Sequence, residues 1–157
     1  MGIVGPGTLV EDFSLPDQSG GVRSLSEFLA EGPVVLFFYP RAMTSGCTAE
    51  SCHFRDLAGE FAEAGARVVG VSADPPARQR EFDEAYSLGY PLLSDVDHVV
   101  AEALGVRRWV KLGPLSRKRV TFVIGSDWRI GRVVHSETSM REHADEALAF
   151  VRGTHGG

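Results

Sequence analysis

No stretch of this chain is apolar for more than six residues, the run Val34-Val35-Leu36-Phe37-Phe38-Tyr39. A membrane-spanning helix needs about 20, so none is expected. An excess of positive charge is also lacking: 16 Lys and Arg stand against 21 Asp and Glu, a net charge of −5. Such a chain has little attraction for nucleic acid or an anionic membrane surface. Cysteine is scarce, and two in 157 residues cannot frame a disulfide scaffold. The N-terminus, Met1-Gly2-Ile3-Val4-Gly5-Pro6-Gly7, has neither the basic residue nor the apolar stretch of a secretory signal, and Pro6 spoils a myristoylation pattern. The expected compartment is the cytoplasm. Repeats and low-complexity linkers are missing too, leaving an ordinary globular composition, 43% hydrophobic and 24% charged. The length is that of one domain over 1–157, with a core over about 9–152 and a frayed tail over 153–157.

What is present is an alternation of strands and helices. Pro33–Tyr39, apolar and aromatic throughout, predicts a strand buried on both faces. A helix follows from about Thr44 to Ala64, with Phe54, Leu57, Ala58 and Phe61 on one stripe and Gly65 as its stop. Ala66–Ser72 reads as a second buried strand, Asp74-Pro75 opens a helix ending near Gly89, and Tyr90–Leu93 is a short strand. Asp95 caps a helix reaching Leu104. Arg119–Ile124 and Arg129–Ser136 form a hairpin about Gly125-Ser126-Asp127. Ser139 and Glu142 have capping-box spacing before a helix with Ala144, Ala147, Leu148 and Val151 on one face. Asp12–Leu15 and the turn Asp17-Gln18-Ser19-Gly20-Gly21 suggest a small appended hairpin. The expected class is α/β, a mixed central sheet flanked by helices, with an N-terminal hairpin extension.

The two cysteines are close together, Cys47 and Cys52. In a reducing compartment such a pair points to catalysis or metal rather than to a structural bond. Cys47 falls where a buried strand has ended and a helix begins, the place where reactive groups collect in open α/β sheets. Helix N-termini stabilise anions through unpaired N–H groups, which favours thiolate over thiol. Thr44 brings a hydroxyl near the sulfur, and Gly46 permits close approach of a ligand to the backbone. The plain alternatives are that Cys47 is a small buried hydrophobe and Cys52 a core residue that never pairs. In one intact helix, residues five apart lie about 140° apart around the axis and about 7.5 Å along it. Their Cα atoms are then about 8–9 Å apart, beyond the ~7 Å limit for a disulfide. A bond between these two would require the first turns of the helix to unwind.

Zinc wants about four ligands, and this pair has only His53 beside it. A thioredoxin-type site wants two residues between its cysteines, and here there are four. A cysteine protease needs a histidine, yet nothing in their spacing singles out His53, His98, His135, His143 or His155. Each reads as a surface or satisfied histidine.

The segment Pro40 … Thr44-Ser45-Gly46-Cys47 resembles the P-x-x-x-T-x-x-C motif of the peroxiredoxins, and a second cysteine five residues on marks the bacterioferritin comigratory protein (peroxiredoxin Q) subfamily. The resemblance extends from about Leu9 to Val151. It takes in Asp12-Phe13-Ser14-Leu15-Pro16-Asp17, Gly70-Val71-Ser72, Tyr90-Pro91-Leu92-Leu93-Ser94-Asp95 and Arg119-Val120-Thr121-Phe122-Val123-Ile124. One departure is Ser45, where the family usually has proline. The resemblance implies a thioredoxin-like fold. Where thioredoxin has a cis-proline facing its cysteines, this chain has Val120-Thr121, as peroxiredoxins do, which favours peroxide reduction over disulfide exchange.

The implied activity is a thiol-dependent peroxidase for hydrogen peroxide and organic hydroperoxides, with a thioredoxin-type dithiol as reductant and neither metal nor organic cofactor. Cys47 would form a sulfenic acid, with Thr44 binding thiolate and peroxide, Arg119 stabilising charge and Pro40 shielding the sulfur; Cys52 would resolve the intermediate as a disulfide. A monomer is expected, with a dimer as the alternative. A redox sensor or a disulfide oxidoreductase is the competing reading. Glu50 is read as a solvent-facing acid that favours the helix dipole, with orientation of Arg119 as its alternative, and Arg41 has the same ambiguity. Arg107, Arg108, Lys111, Arg117, Lys118 and Arg119 read as an exposed basic loop beside the site, with a nucleic-acid or anionic-partner patch around Trp109 as the alternative.

Overall fold

The computed structural model describes residues 3–106, 119–136 and 139–155. Two short strands, β1 (Ser14–Pro16) and β2 (Val22–Ser24), pair antiparallel as the appended hairpin. They lead into α1 (Leu25–Leu29), a helix that no sequence expectation covers. Ser24 and Glu27 cap it with a reciprocal capping box.

The main sheet has five strands in the order β5 (Leu92–Ser94), β4 (Arg67–Ser72), β3 (Val34–Phe38), β6 (Val120–Ile124), β7 (Ile130–His135). All five residues of β3 are buried, so the longest apolar run occupies the centre. Beside it β4 runs parallel, with Phe38 level with Val71, and β6 runs antiparallel, with Phe38 level with Val120. The expected mixed sheet is therefore present, and β3 has neighbours of opposite direction.

Helices cover both faces. On one lie α2 (Ser45–Glu63), α3 (Pro76–Tyr86) and α5 (Met140–His155), packed through Phe54, Phe61, Phe82, Ala144, Ala147, Leu148 and Val151. Phe54 stacks on Phe37 of β3 with ring centroids 4.2 Å apart. Full burial of such a side chain stabilises the fold by about 1.5–3 kcal/mol. On the other face lie α1 and α4 (Val99–Ala103), with Phe28, Val100 and Leu104 in that core. Trp128, in the β6–β7 turn, packs partly buried against it.

Several element bounds shift for local reasons. Gly65, at φ +84°, stops α2 as expected, because this left-handed backbone suits a residue without Cβ. Ser87, also left-handed, ends α3 short of Gly89. Asp74 does not cap α3: its carboxylate accepts the Ala42 N–H at 2.7 Å and the Ser72 hydroxyl at 2.6 Å, tying the loop after β3 to the end of β4. Asp95 still caps α4 from outside the helix, accepting the N–H groups of Val100 and Ala101 at 3.3 and 2.9 Å.

Candidate active site

The site forms where β3 ends. Tyr39 continues the strand and donates its N–H to Val71, Pro40 is half-buried, and the chain turns through Arg41–Thr44 into α2. Asp74 fixes this turn through Ala42, and Met43 adopts a left-handed φ of +69°. Thr44 is the N-cap residue, in extended conformation, but its side chain does not cap the helix. Its hydroxyl donates to the Arg41 carbonyl at 3.0 Å, so the oxygen can act toward a ligand only as an acceptor in this arrangement. Thr48 N–H to Thr44 carbonyl, 2.8 Å, is the first helical bond. Cys47 follows three residues after the cap, fully buried.

Arg119 arrives from the opposite direction. The β3–β6 register sets Val120 beside Phe38, so Arg119, one residue earlier, falls level with Tyr39 at the same sheet end. Side chains alternate along a strand, and Arg119 and Thr121 both face α2 and α5, as their bonds to Glu50 and His143 attest. Arg119 Nη1 stands 3.4 Å from Cys47 Sγ and 2.9 Å from Glu50 Oε1. Burial works against the guanidinium charge, but Cys47 and Glu50 outweigh it and hold Arg119 more firmly protonated than usual. Gly46 makes room for this approach, since a Cβ there would lie 3.2 Å from Arg119 Nη2 and 3.6 Å from Met140 Sδ.

Glu50 corrects an expectation. It does not face solvent: it is 0% exposed, and its carboxylate pairs with Arg119. A buried carboxylate is costly unless paired and hydrogen-bonded, so orientation of Arg119 is what its place in the fold provides. Behind it is a residue that sequence reasoning did not single out. His143 of α5 is fully buried, with Nδ1 3.5 Å from Glu50 Oε2 and 2.8 Å from Thr121 Oγ1, and Nε2 2.8 Å from the Ser136 carbonyl. Its only signal in the sequence was an ionisable residue one turn into an apolar helix face.

The remaining candidates separate. Cys52 is partly exposed and free, as is the buried Cys47, and α2 runs unbroken through both. Next to Cys52, His53 pairs with Asp145 of α5 at 2.7 Å, and the buried Tyr90 hydroxyl donates to the Ser51 carbonyl at 2.8 Å. Arg41 is exposed. Arg107, Arg108, Lys111, Arg117 and Lys118 lie outside the described residues, while Arg119 is 8% exposed and so belongs to the site rather than to an exposed loop. Among the described residues, no group of three His, Cys, Asp or Glu side chains could hold a metal ion, and no helix is long and apolar enough to cross a membrane.

A thiol at a helix start, gripped by a buried arginine at the end of a central strand, defines a redox enzyme of the thioredoxin-like class. Comparison with known proteins narrows this. The AhpC/TSA family matches residues 6–133. The crystal structure of peroxidoxin BcpB from Mycobacterium tuberculosis is 54% identical and superposes with a TM-score of 0.90, covering 96% of this chain and 97% of that one. Peroxiredoxin Bcp of Escherichia coli K12 is 37% identical over 151 residues, 93% of this chain and 94% of its own. A structure of the Xanthomonas campestris bacterioferritin comigratory protein, described for its alkyl peroxide reduction activity, is 27% identical with a TM-score of 0.82, over 90% of this chain and 91% of that one. The chain belongs to the AhpC/TSA family, in its peroxiredoxin Bcp/Q branch. It is a thiol-dependent peroxidase with the thioredoxin-like peroxiredoxin fold.

Proposed function

We propose that Cys47 is the peroxide-attacking thiol and Cys52 its resolving partner, within a single domain spanning the chain. The observation that carries this reading is the placement of the Arg119 guanidinium between Cys47 Sγ and the buried Glu50 carboxylate. A fixed cation at the sulfur stabilises thiolate and then the charge that spreads onto the peroxide oxygens, in a site where it needs no reorganisation. The thiolate attacks one oxygen: the S–O bond forms as the O–O bond breaks, the attacked oxygen keeps its proton as the sulfenic acid, and the second oxygen takes a proton from solvent and leaves as water or an alcohol. Thr44 contributes a hydroxyl oxygen that accepts a hydrogen bond from the peroxide O–H, first-turn N–H groups of α2 add partial positive charge, and Pro40 walls the sulfur from water.

Cys52 thiol then attacks the sulfenic sulfur, releasing water and forming a disulfide. The two cysteines share one intact helix, so their Cα atoms, about 8–9 Å apart, must close to within about 7 Å. The first turns of α2 unwind to allow it. A thioredoxin-type dithiol reduces the disulfide by exchange, and the substrates include hydrogen peroxide and, as in the Xanthomonas relative, alkyl hydroperoxides. The acting species is a cytoplasmic monomer. The test is the mass and thiol content after one equivalent of peroxide. Loss of two hydrogens with both cysteines closed to alkylation is expected, and Cys47→Ser must abolish peroxide consumption.

A further inference from the structure

His143 Nε2 faces the Ser136 carbonyl at 2.8 Å. A carbonyl only accepts, so Nε2 carries its proton in either charge state and the chemistry of the ring is decided at Nδ1. There two acceptors converge, Thr121 Oγ1 at 2.8 Å and Glu50 Oε2 at 3.5 Å. In a neutral ring the single Nδ1 lone pair accepts a hydrogen bond from the Thr121 hydroxyl, and the ring donates nothing to the carboxylate. In an imidazolium Nδ1 donates, and Glu50 is flanked by cations, Arg119 on Oε1 and His143 on Oε2. Among the described residues, the charges around this point are Cys47 and Glu50 from α2 and Arg119 from the start of β6. Further along the packed elements, His53 is paired with Asp145 and Glu146 with Arg132. With Cys47 as thiolate, the Arg119 guanidinium contacts two buried anions at once.

We propose that His143 is a positioning residue of the peroxidase centre: it holds Glu50 against Arg119 and, as imidazolium, balances the second negative charge that the Cys47 thiolate brings. Oxidation of Cys47 to the neutral sulfenic acid removes that charge, and the ring then yields its proton to solvent. The proposal rests on the reading of Cys47 as the reacting thiol.

Two measurements test it. Imidazole titration by long-range nitrogen–proton correlation in the reduced wild-type chain and in Cys47→Ser requires no change at His143. Its resonance is assigned by contact with the Thr121 methyl. The imidazolium of the wild type is expected to persist to a pH about one unit higher than in Cys47→Ser, because an opposite charge within a buried cluster favours the charged form by that order. Identical midpoints would overturn the proposal. The second measurement is the stopped-flow rate with hydrogen peroxide against pH for His143→Asn, which keeps an N–H donor toward Glu50 but cannot be charged. A loss of about tenfold near pH 5.5 that vanishes at about pH 8.5 is expected, since asparagine differs in charge from the imidazolium but not from the neutral ring. A loss by the same factor at every pH overturns the electrostatic role. Peroxide consumption by Cys47→Ser would sink the reading of Cys47 while leaving the ring titration to decide the coupling to Glu50.

Discussion

Arg119 and Cys47 are 72 positions apart in sequence, and one guanidinium nitrogen of the first lies 3.4 Å from the sulfur of the second. The contact is made by the antiparallel β3–β6 register and the strand-to-helix turn after β3, not by any local motif. Arg119→Ala should therefore lower the second-order rate of peroxide reduction by about 10²–10³, the usual loss when one preorganised donor is removed from a developing charge. Thermal unfolding of the same variant should show destabilisation as well, since Glu50 loses a buried partner. Stopped-flow kinetics and a melting curve measure the two effects separately.

Gly46→Ala separates activity from stability. Alanine favours a helix over glycine by up to about 1 kcal/mol, but its methyl would lie 3.2 Å from Arg119 Nη2. The guanidinium must retreat by a few tenths of an ångström. A rate loss of roughly three- to tenfold is expected from such misplacement, with a melting temperature no lower than that of the parent. An unchanged rate would mean that Arg119 tolerates displacement.

Tyr90→Phe addresses the second half-reaction. The Tyr90 hydroxyl is buried, which raises its pKa well above the usual value and keeps it a donor at any working pH, and it holds the Ser51 carbonyl at 2.8 Å. Removing that bond, worth about 1 kcal/mol, loosens the turn between the two cysteines. Disulfide formation after a peroxide pulse should accelerate about fivefold, the factor that 1 kcal/mol supplies, while the preceding oxidation keeps its rate. The two fluorescence phases of a single turnover report both.

The N-terminal hairpin carries a pH dependence. Burial opposes ionisation of Asp17, but the Ser19 hydroxyl and N–H and the Arg23 guanidinium outweigh it and hold the carboxyl below its ordinary value of 3.8. A group depressed in the folded state stabilises fully above its unfolded value and loses that contribution as pH falls through the folded one. Asp17→Asn should thus lower the melting temperature at pH 6–7 and converge with the parent as pH falls through the depressed value. Parallel melting curves across that range would remove Asp17 as the cause.

The sequence reveals β3, α2 and the late hairpin because an unbroken apolar run and a three-and-four spaced stripe each have one efficient way to be buried. Cys47, Thr44, Pro40 and Arg119 are legible through their motif, and the structure gathers Thr44, Pro40 and Cys47 at one sheet end with Arg119 on the sulfur. Glu50 is not legible in this sense. An acid one turn into a helix has the pattern of a solvated dipole partner, and only the pairing of β6 with β3 places a cation against it. His143 is further still from legibility, since its neighbours come from α2, β6 and β7. Helix α1 escapes notice because five residues carry no measurable period.

The β3–β6 register has a consequence for how the enzyme matures. A slip of one residue in that ladder would turn Arg119 to the opposite face of the sheet. The cation reaches the sulfur only once non-local strands have paired in frame, among the slower events of folding. On the proposed role of Arg119, reactivity toward peroxide is acquired late, with the completed sheet. A chain still emerging or partly unfolded carries its cysteines without Arg119 beside either of them. The rate of peroxide consumption regained during refolding then serves as a clock for strand registration.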